Sequence, residues 1–147
     1  MKKLLFSALC LSGILNGSTL SAQTENPSGI KFTIDNCVNQ FDISKIDSTK
    51  AGYQYWFADK QFLGDGRTLK LSVVAPGQAT HAPHKHEEDE FFFVLEGKAS
   101  IHLDGQTTTA GPYTSFYCPA NMMHGISNAG DTELKYLVIK KYNLEKK

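Results

Sequence analysis

The feature that most restricts this chain is a succession of short β-prone runs, each closed by turn residues, which begins after the Gly64-Asp65-Gly66 cluster. The runs are Thr68 to Ala75, Glu90 to Leu95, Ala99 to Leu103, Gln106 to Thr109, Tyr113 to Cys118, Gly125 to Asn128 and Glu133 to Lys140. Turn residues separate them: Pro76-Gly77, Gly97-Lys98, Asp104-Gly105, Gly111-Pro112 and Asn128 to Asp131. Strands of this length at a spacing of roughly 8 to 12 residues predict a sandwich or a barrel. Asp104-Gly105 predicts a type I′ hairpin, because both residues accept positive φ. Tyr53 to Phe57 is aromatic enough to add a strand, and Ile30 to Ile34 reads as a first one. Phe41 to Lys50 has no clean period and reads as irregular. No long amphipathic helix is visible, so the expected class is all-β.

At 147 residues the chain has the size of one domain, and its 15 basic residues balance its 15 acidic ones. No basic stripe exists to meet a phosphate backbone, which argues against nucleic acid as a partner. The start reads as an export signal over residues 1–22. Lys2 and Lys3 precede a mostly apolar stretch from Leu4 to Leu15, and Ser18 to Ala22 are mostly small. That stretch is shorter than the roughly 20 residues a membrane span needs. The expectation is therefore a periplasmic or secreted protein, free of the membrane once the signal is cut. Residues 23–29 read as a polar leader and residues 30–147 as a single barrel domain. Beyond the signal, Cys37 and Cys118 are an even pair in an oxidising compartment, so either one disulfide or two separate thiols fits.

The chemistry concentrates in His84-Lys85-His86 and Glu90, three potential ligands of one parity within seven residues. Successive strand side chains alternate faces. On an extended segment, His84 and His86 therefore face one side, and Glu90 returns to that side after the Glu87-Glu88-Asp89 turn. His124, after Pro119-Ala120-Asn121, is the natural fourth ligand. Three imidazole nitrogens and one carboxylate oxygen suit one divalent transition metal ion (Mn, Fe, Ni or Zn), with coordination positions left open for water or substrate. His81 and His102 read as surface or packing residues. Alternation turns Phe92 inward with Glu90, as a candidate substrate contact, and turns Phe91 and Phe93 outward. Outward aromatics need a cover, either a partner sheet or a dimer interface, and a homodimer is the expectation.

The segment Gly77 to Gly97, GQATHAPHKHEEDEFFFVLEG, resembles the first conserved motif of the cupin superfamily, G-x5-H-x-H-x3-E-x6-G. It fits from His84 onward, with the interval from Gly77 one residue longer than the pattern. Gly111 to Asn128, GPYTSFYCPANMMHGISN, resembles the second motif, G-x5-P-x-G-x2-H-x3-N. Pro119, His124 and Asn128 match; Asn121 stands where Gly is usual, and the interval from Gly111 to Pro119 is two residues longer. The resemblance implies a small single-domain cupin of the cupin 2 type, a double-stranded β-helix (jelly-roll) barrel with His84, His86, Glu90 and His124 as metal ligands. By analogy with one-barrel cupins that open unsaturated uronates, it implies an enzyme that isomerises or ring-opens a small carbohydrate-derived acid. Tyr55, Lys70, Tyr117 and Tyr136 are the candidate proton-transfer residues. The alternatives are Fe(II) dioxygenase chemistry and a non-catalytic module that binds a small ligand or sugar.

Overall fold

The computed structural model describes residues 29–145, so the expected signal and nearly all of the leader lie outside the described residues. Among the described residues nine strands form two antiparallel sheets: β1 (Asp47–Thr49), β2 (Gly52–Ala58), β3 (Arg67–Val74), β4 (Glu90–Glu96), β5 (Ala99–Leu103), β6 (Gln106–Ala110), β7 (Ser115–Cys118), β8 (His124–Asn128) and β9 (Leu134–Lys141). The larger sheet has the order β1-β2-β3-β9-β4-β7 and the smaller one β6-β5-β8. Bridges from Ala79 to Ser127 and from His84 to His124 lay the segment before β4 along the free edge of β8. Among the described residues the fold is all-β apart from one turn of α-helix and one of 3-10 helix. No helix among the described residues is long and apolar enough to cross a membrane.

The expected strands from Thr68 onward all form, with small changes at their ends. Tyr113 is excluded from β7 because its backbone turns left-handed, at φ 63°. The β5–β6 hairpin turns on Asp104 (φ 46°) and Gly105 (φ 81°), both positive as a type I′ turn requires. Ile30 to Ile34 does not form the expected strand. Instead, α1 (Ile34–Cys37) begins there, because the Asn36 side chain accepts from the Thr33 N–H at 2.8 Å and donates to the Lys31 carbonyl at 3.0 Å. That local bonding competes with strand pairing. Phe41 to Lys50, expected to be irregular, holds a 3-10 turn (Ile43–Lys45) capped by Asp42 and then edge strand β1.

Alternation decides what fills the space between the sheets. Val94, Ala99 and Leu134 are fully buried, and with Ile101, Ile126 and Tyr136 they form an apolar plug. Asn128 clamps its margin: its amide donates to the carbonyls of Val74 (2.8 Å) and Thr132 (2.7 Å), and its side-chain oxygen accepts from the Gly130 N–H. At Gly97 (φ 83°), a Cβ would come within 2.5 Å of the Glu133 carbonyl oxygen, so the turn into β5 excludes other residues. The starts of β4 and β8 and the end of β9 lie beyond the plug, and the polar residues collect there.

Candidate metal centre

Two backbone devices bring the histidines together. His84 and His124 sit opposite each other and exchange both backbone hydrogen bonds, each at 2.9 Å. Asn121 adopts the left-handed region at φ 61°, and its N–H donates to the His86 carbonyl at 2.7 Å. Asn tolerates that conformation better than most residues with a side chain, which explains how it replaces the usual glycine. Glu90 is the first residue of β4, paired with Cys118 of β7 and with Lys140 of β9.

Each imidazole is oriented by a main-chain carbonyl that can only accept. The Nδ1–H groups of His84, His86 and His124 donate to the carbonyls of Ala82 (3.3 Å), Glu88 (2.7 Å) and Met122 (2.8 Å). Nδ1 is thereby the donor toward the main chain in each ring, which turns Nε2 toward the interior. Glu90 Oε1 stands 3.0 Å from Nε2 of His124 and 3.4 Å from Nε2 of His86. Glu90 is 6% and His124 0% exposed, so the buried carboxylate needs positive charge beside it: a proton on His124 Nε2, which then donates to Glu90 Oε1, or a metal cation in the proton's place. The donor atoms of His84, His86 and His124 all lie within 4.8 Å of one another. Metal bonds of about 2 Å place neighbouring ligand atoms about 3–4 Å apart, so the residues fit a bound cation. Burial holds the His84 imidazole below its usual pKa, which favours the neutral, ligating form.

The centre opens into a cavity of about 110 Å³. Phe92 walls it, and Lys70 and Tyr136 line it as well. Burial pushes the Tyr136 phenol up and the Lys70 ammonium down in pKa. The other two tyrosines proposed from sequence do not reach it. The Tyr55 hydroxyl donates to the Gln40 carbonyl at 2.8 Å, and its ring packs on Phe41 on the outer side of the sheet. Tyr117 pairs with outward-facing Phe91 and donates to Asp89 at 3.0 Å, on the exposed face. Its parity, opposite to that of its neighbour Cys118, decides this.

Sequence reasoning passed over several lining residues: Ser72, Thr80, His81, Lys140 and Tyr142. His81 reads as a surface residue in sequence, yet it lines the cavity with its ring 4.8 Å from that of His84. Lys140 shares the parity of Tyr136 and Val138 on β9, a signal that alternation could have supplied. Glu88, in the turn before β4, orients His86 through its carbonyl and holds Lys140 Nζ at 3.5 Å. Cys118 is buried beside Glu90 and His124, while Cys37 is exposed; both are free thiols.

Residues 70–140, which carry the ligands, match the cupin domain family. The chain belongs to the cupin superfamily. Over 67 residues this cupin is 29% identical to the polyketide synthase CurC of Streptomyces cyaneus, a match covering 46% of the chain and 44% of that relative. The chain thus spans less than half the length of that relative. Among solved structures it resembles the polyketide cyclase RemF of Streptomyces resistomycificus, with 21% identity and a TM-score of 0.60 over 71% of this chain and 79% of that one. It also resembles a predicted oxalate decarboxylase from Thermotoga maritima, with 20% identity and a TM-score of 0.58 over 62% and 80% of the two chains. These likenesses are of fold.

Proposed function

We propose that this cupin is an exported enzyme that uses one divalent transition metal ion to isomerise or ring-open a small carbohydrate-derived acid. The observation that carries the reading is the convergence of three carbonyl-anchored Nε2 atoms and Glu90 Oε1 on a small cavity lined by ammonium and hydroxyl groups. A metal bound there by His84, His86, Glu90 and His124 would polarise a substrate oxygen. The chain does the rest. The carbonyls of Ala82, Glu88 and Met122 hold the rings in one orientation, and Phe92 keeps one wall apolar against the His124 ring, 6.4 Å between centroids. The raised pKa of Tyr136 keeps a proton on its hydroxyl at neutral pH, and Thr80 Oγ1 lies 3.2 Å from it. That hydroxyl is positioned to deliver a proton into the cavity.

Export is supported by Lys2, Lys3 and the apolar stretch that follows. A homodimer is supported by Phe91, Tyr117 and Ile139, which leave a large apolar area exposed on the outer sheet face.

Elemental mass spectrometry of wild type beside His86→Ala tests the metal. We expect about one transition-metal ion per wild-type chain and a loss of about tenfold or more in the variant. A wild-type protein that stays empty after incubation with Mn, Fe, Ni and Zn would refute the metal reading. Loss of the conjugated double bond from an unsaturated uronate, followed by absorbance, tests the reaction. Oxygen uptake by the iron form alone would favour dioxygenase chemistry instead.

A further inference from the structure

The cavity holds two lysines in different states. Lys140 is paired with Glu88 at 3.5 Å and rests over the Tyr142 ring. Lys70 forms no ion pair among the described residues; its ammonium lies 5.1 Å from the centre of the Trp56 ring, which attracts the charge without neutralising it. Glu90 is the one carboxylate among the residues lining the cavity, and it is committed to His86 and His124. With a metal cation at the centre, positive charge in the cavity exceeds negative.

The neighbours of Lys70 supply donors in the same place. Lys70 and Ser72 are two apart on β3 and face inward together, and Tyr136 stands directly opposite Ser72 on β9. The Ser72 hydroxyl is buried, at 2% exposure of the residue, and its one polar neighbour, the Tyr136 hydroxyl, does not complete a well-aligned hydrogen bond with it. A buried hydroxyl left without a well-aligned partner costs stability, and a ligand oxygen removes that cost. Tyr136 can turn its proton either to Thr80 Oγ1 or toward the cavity.

We infer that Lys70, Ser72 and Tyr136 form a carboxylate subsite beside the metal centre. An ammonium and two hydroxyls offer donors to one oxyanion, and Lys70 supplies the charge that rejects a neutral analogue. The substrate is then an acid with two separated oxygen functions, one at the metal and a carboxylate at Lys70. This assignment rests on the metal-centred reading for the first function but not for the second, and Lys70 sets specificity.

The test is calorimetric titration with malonate and with its neutral diamide, malonamide. The proteins are wild type, Lys70→Met, Ser72→Ala and the surface control Lys98→Met, each metal-free and zinc-loaded. A charge-assisted contact predicts that Lys70→Met weakens malonate about ten- to a hundredfold, in both metal states and with zinc content unchanged. Ser72→Ala should weaken it less, and Lys98→Met and malonamide should show no such dependence. Malonate binding by Lys70→Met equal to wild type, or no malonate binding by wild type, overturns the subsite. If His86→Ala loses its metal yet still binds malonate in a Lys70-dependent way, the subsite stands. If wild type never loads metal, the metal reading alone falls.

Discussion

Along β4 the side chains alternate between two environments. Glu90, Phe92 and Val94 face the barrel interior, whereas Phe91 and Phe93 face outward from the six-stranded sheet; Phe92 is 5% and Phe91 46% exposed. Beyond the apolar plug, the interior rows are Cys118, Glu90, Lys140 and Thr68, then Phe116, Phe92, Val138 and Lys70. The matching outer row is Tyr117, Phe91, Ile139 and Leu69. The inner rows thus hold Glu90, Lys140 and Lys70 among apolar neighbours, while the outer row carries only aromatic and aliphatic side chains. Burying charge and exposing large apolar groups are both unfavourable for an isolated chain. The difference is what motivates the two proposals made above: a cation and an acid would complete the inner face, and a second copy the outer.

The largest expected contrast is between the two thiols. Burial pushes the Cys118 thiol from 9.0 up to about 12, so at neutral pH its reactive thiolate falls by about a thousandfold relative to an ordinary cysteine. Alkylation of the native protein followed by peptide mass mapping should label Cys37 and spare Cys118, and labelling of both at similar rates would break the picture of a closed interior.

Next comes packing. Leu134→Ala, at a site with 0% exposure, should cost about 2–5 kcal/mol in denaturant unfolding, and Ile139→Ala, on the outer face, less than about 1 kcal/mol. Equal costs would mean that the outer face is already buried in an assembly at the concentration used. Phe91→Asp sharpens the same point. In sedimentation velocity it should weaken self-association at least about tenfold, while metal content stays at the wild-type level.

The smallest effect concerns Lys70. Its folded pKa is lowered from 10.5, chiefly by burial, with Glu90 opposing and Lys140 reinforcing the shift. Between the folded value and 10.5 the unfolded chain holds more protons, so stability rises with pH across that window and the burial of the charge is a cost below it. Lys70→Met should remove that rise and gain at most about 1 kcal/mol at neutral pH, measured by thermal unfolding across pH. A loss of stability would show that the ammonium is satisfied within the chain.

The cupin fold was legible because strand periodicity and turn chemistry are local. Residues such as Asp104-Gly105 specify their turn with no help from the rest of the molecule, whereas His84 and His86 precede β4 outside any strand and meet Glu90 only across the bend at Glu87 and Glu88. The N-terminal misreading has the same root. Ile30 to Ile34 has strand composition, but no sheet edge accepts it and Asn36 bonds the backbone locally. The tyrosines failed for a different reason: chemistry nominated Tyr55 and Tyr117, and register excluded them.

By itself, then, the sequence determined the β class, the turns and the parity of each strand, since these depend on residues within a few positions of one another. Only the tertiary structure decided which strands meet. The pairing of Ser72 with Tyr136, Lys70 with Val138 and Glu90 with both Cys118 and Lys140 joins residues that no local rule connects. It determines which lysine finds a carboxylate and which is left facing the cavity, because ion pairing is a matter of distance in space.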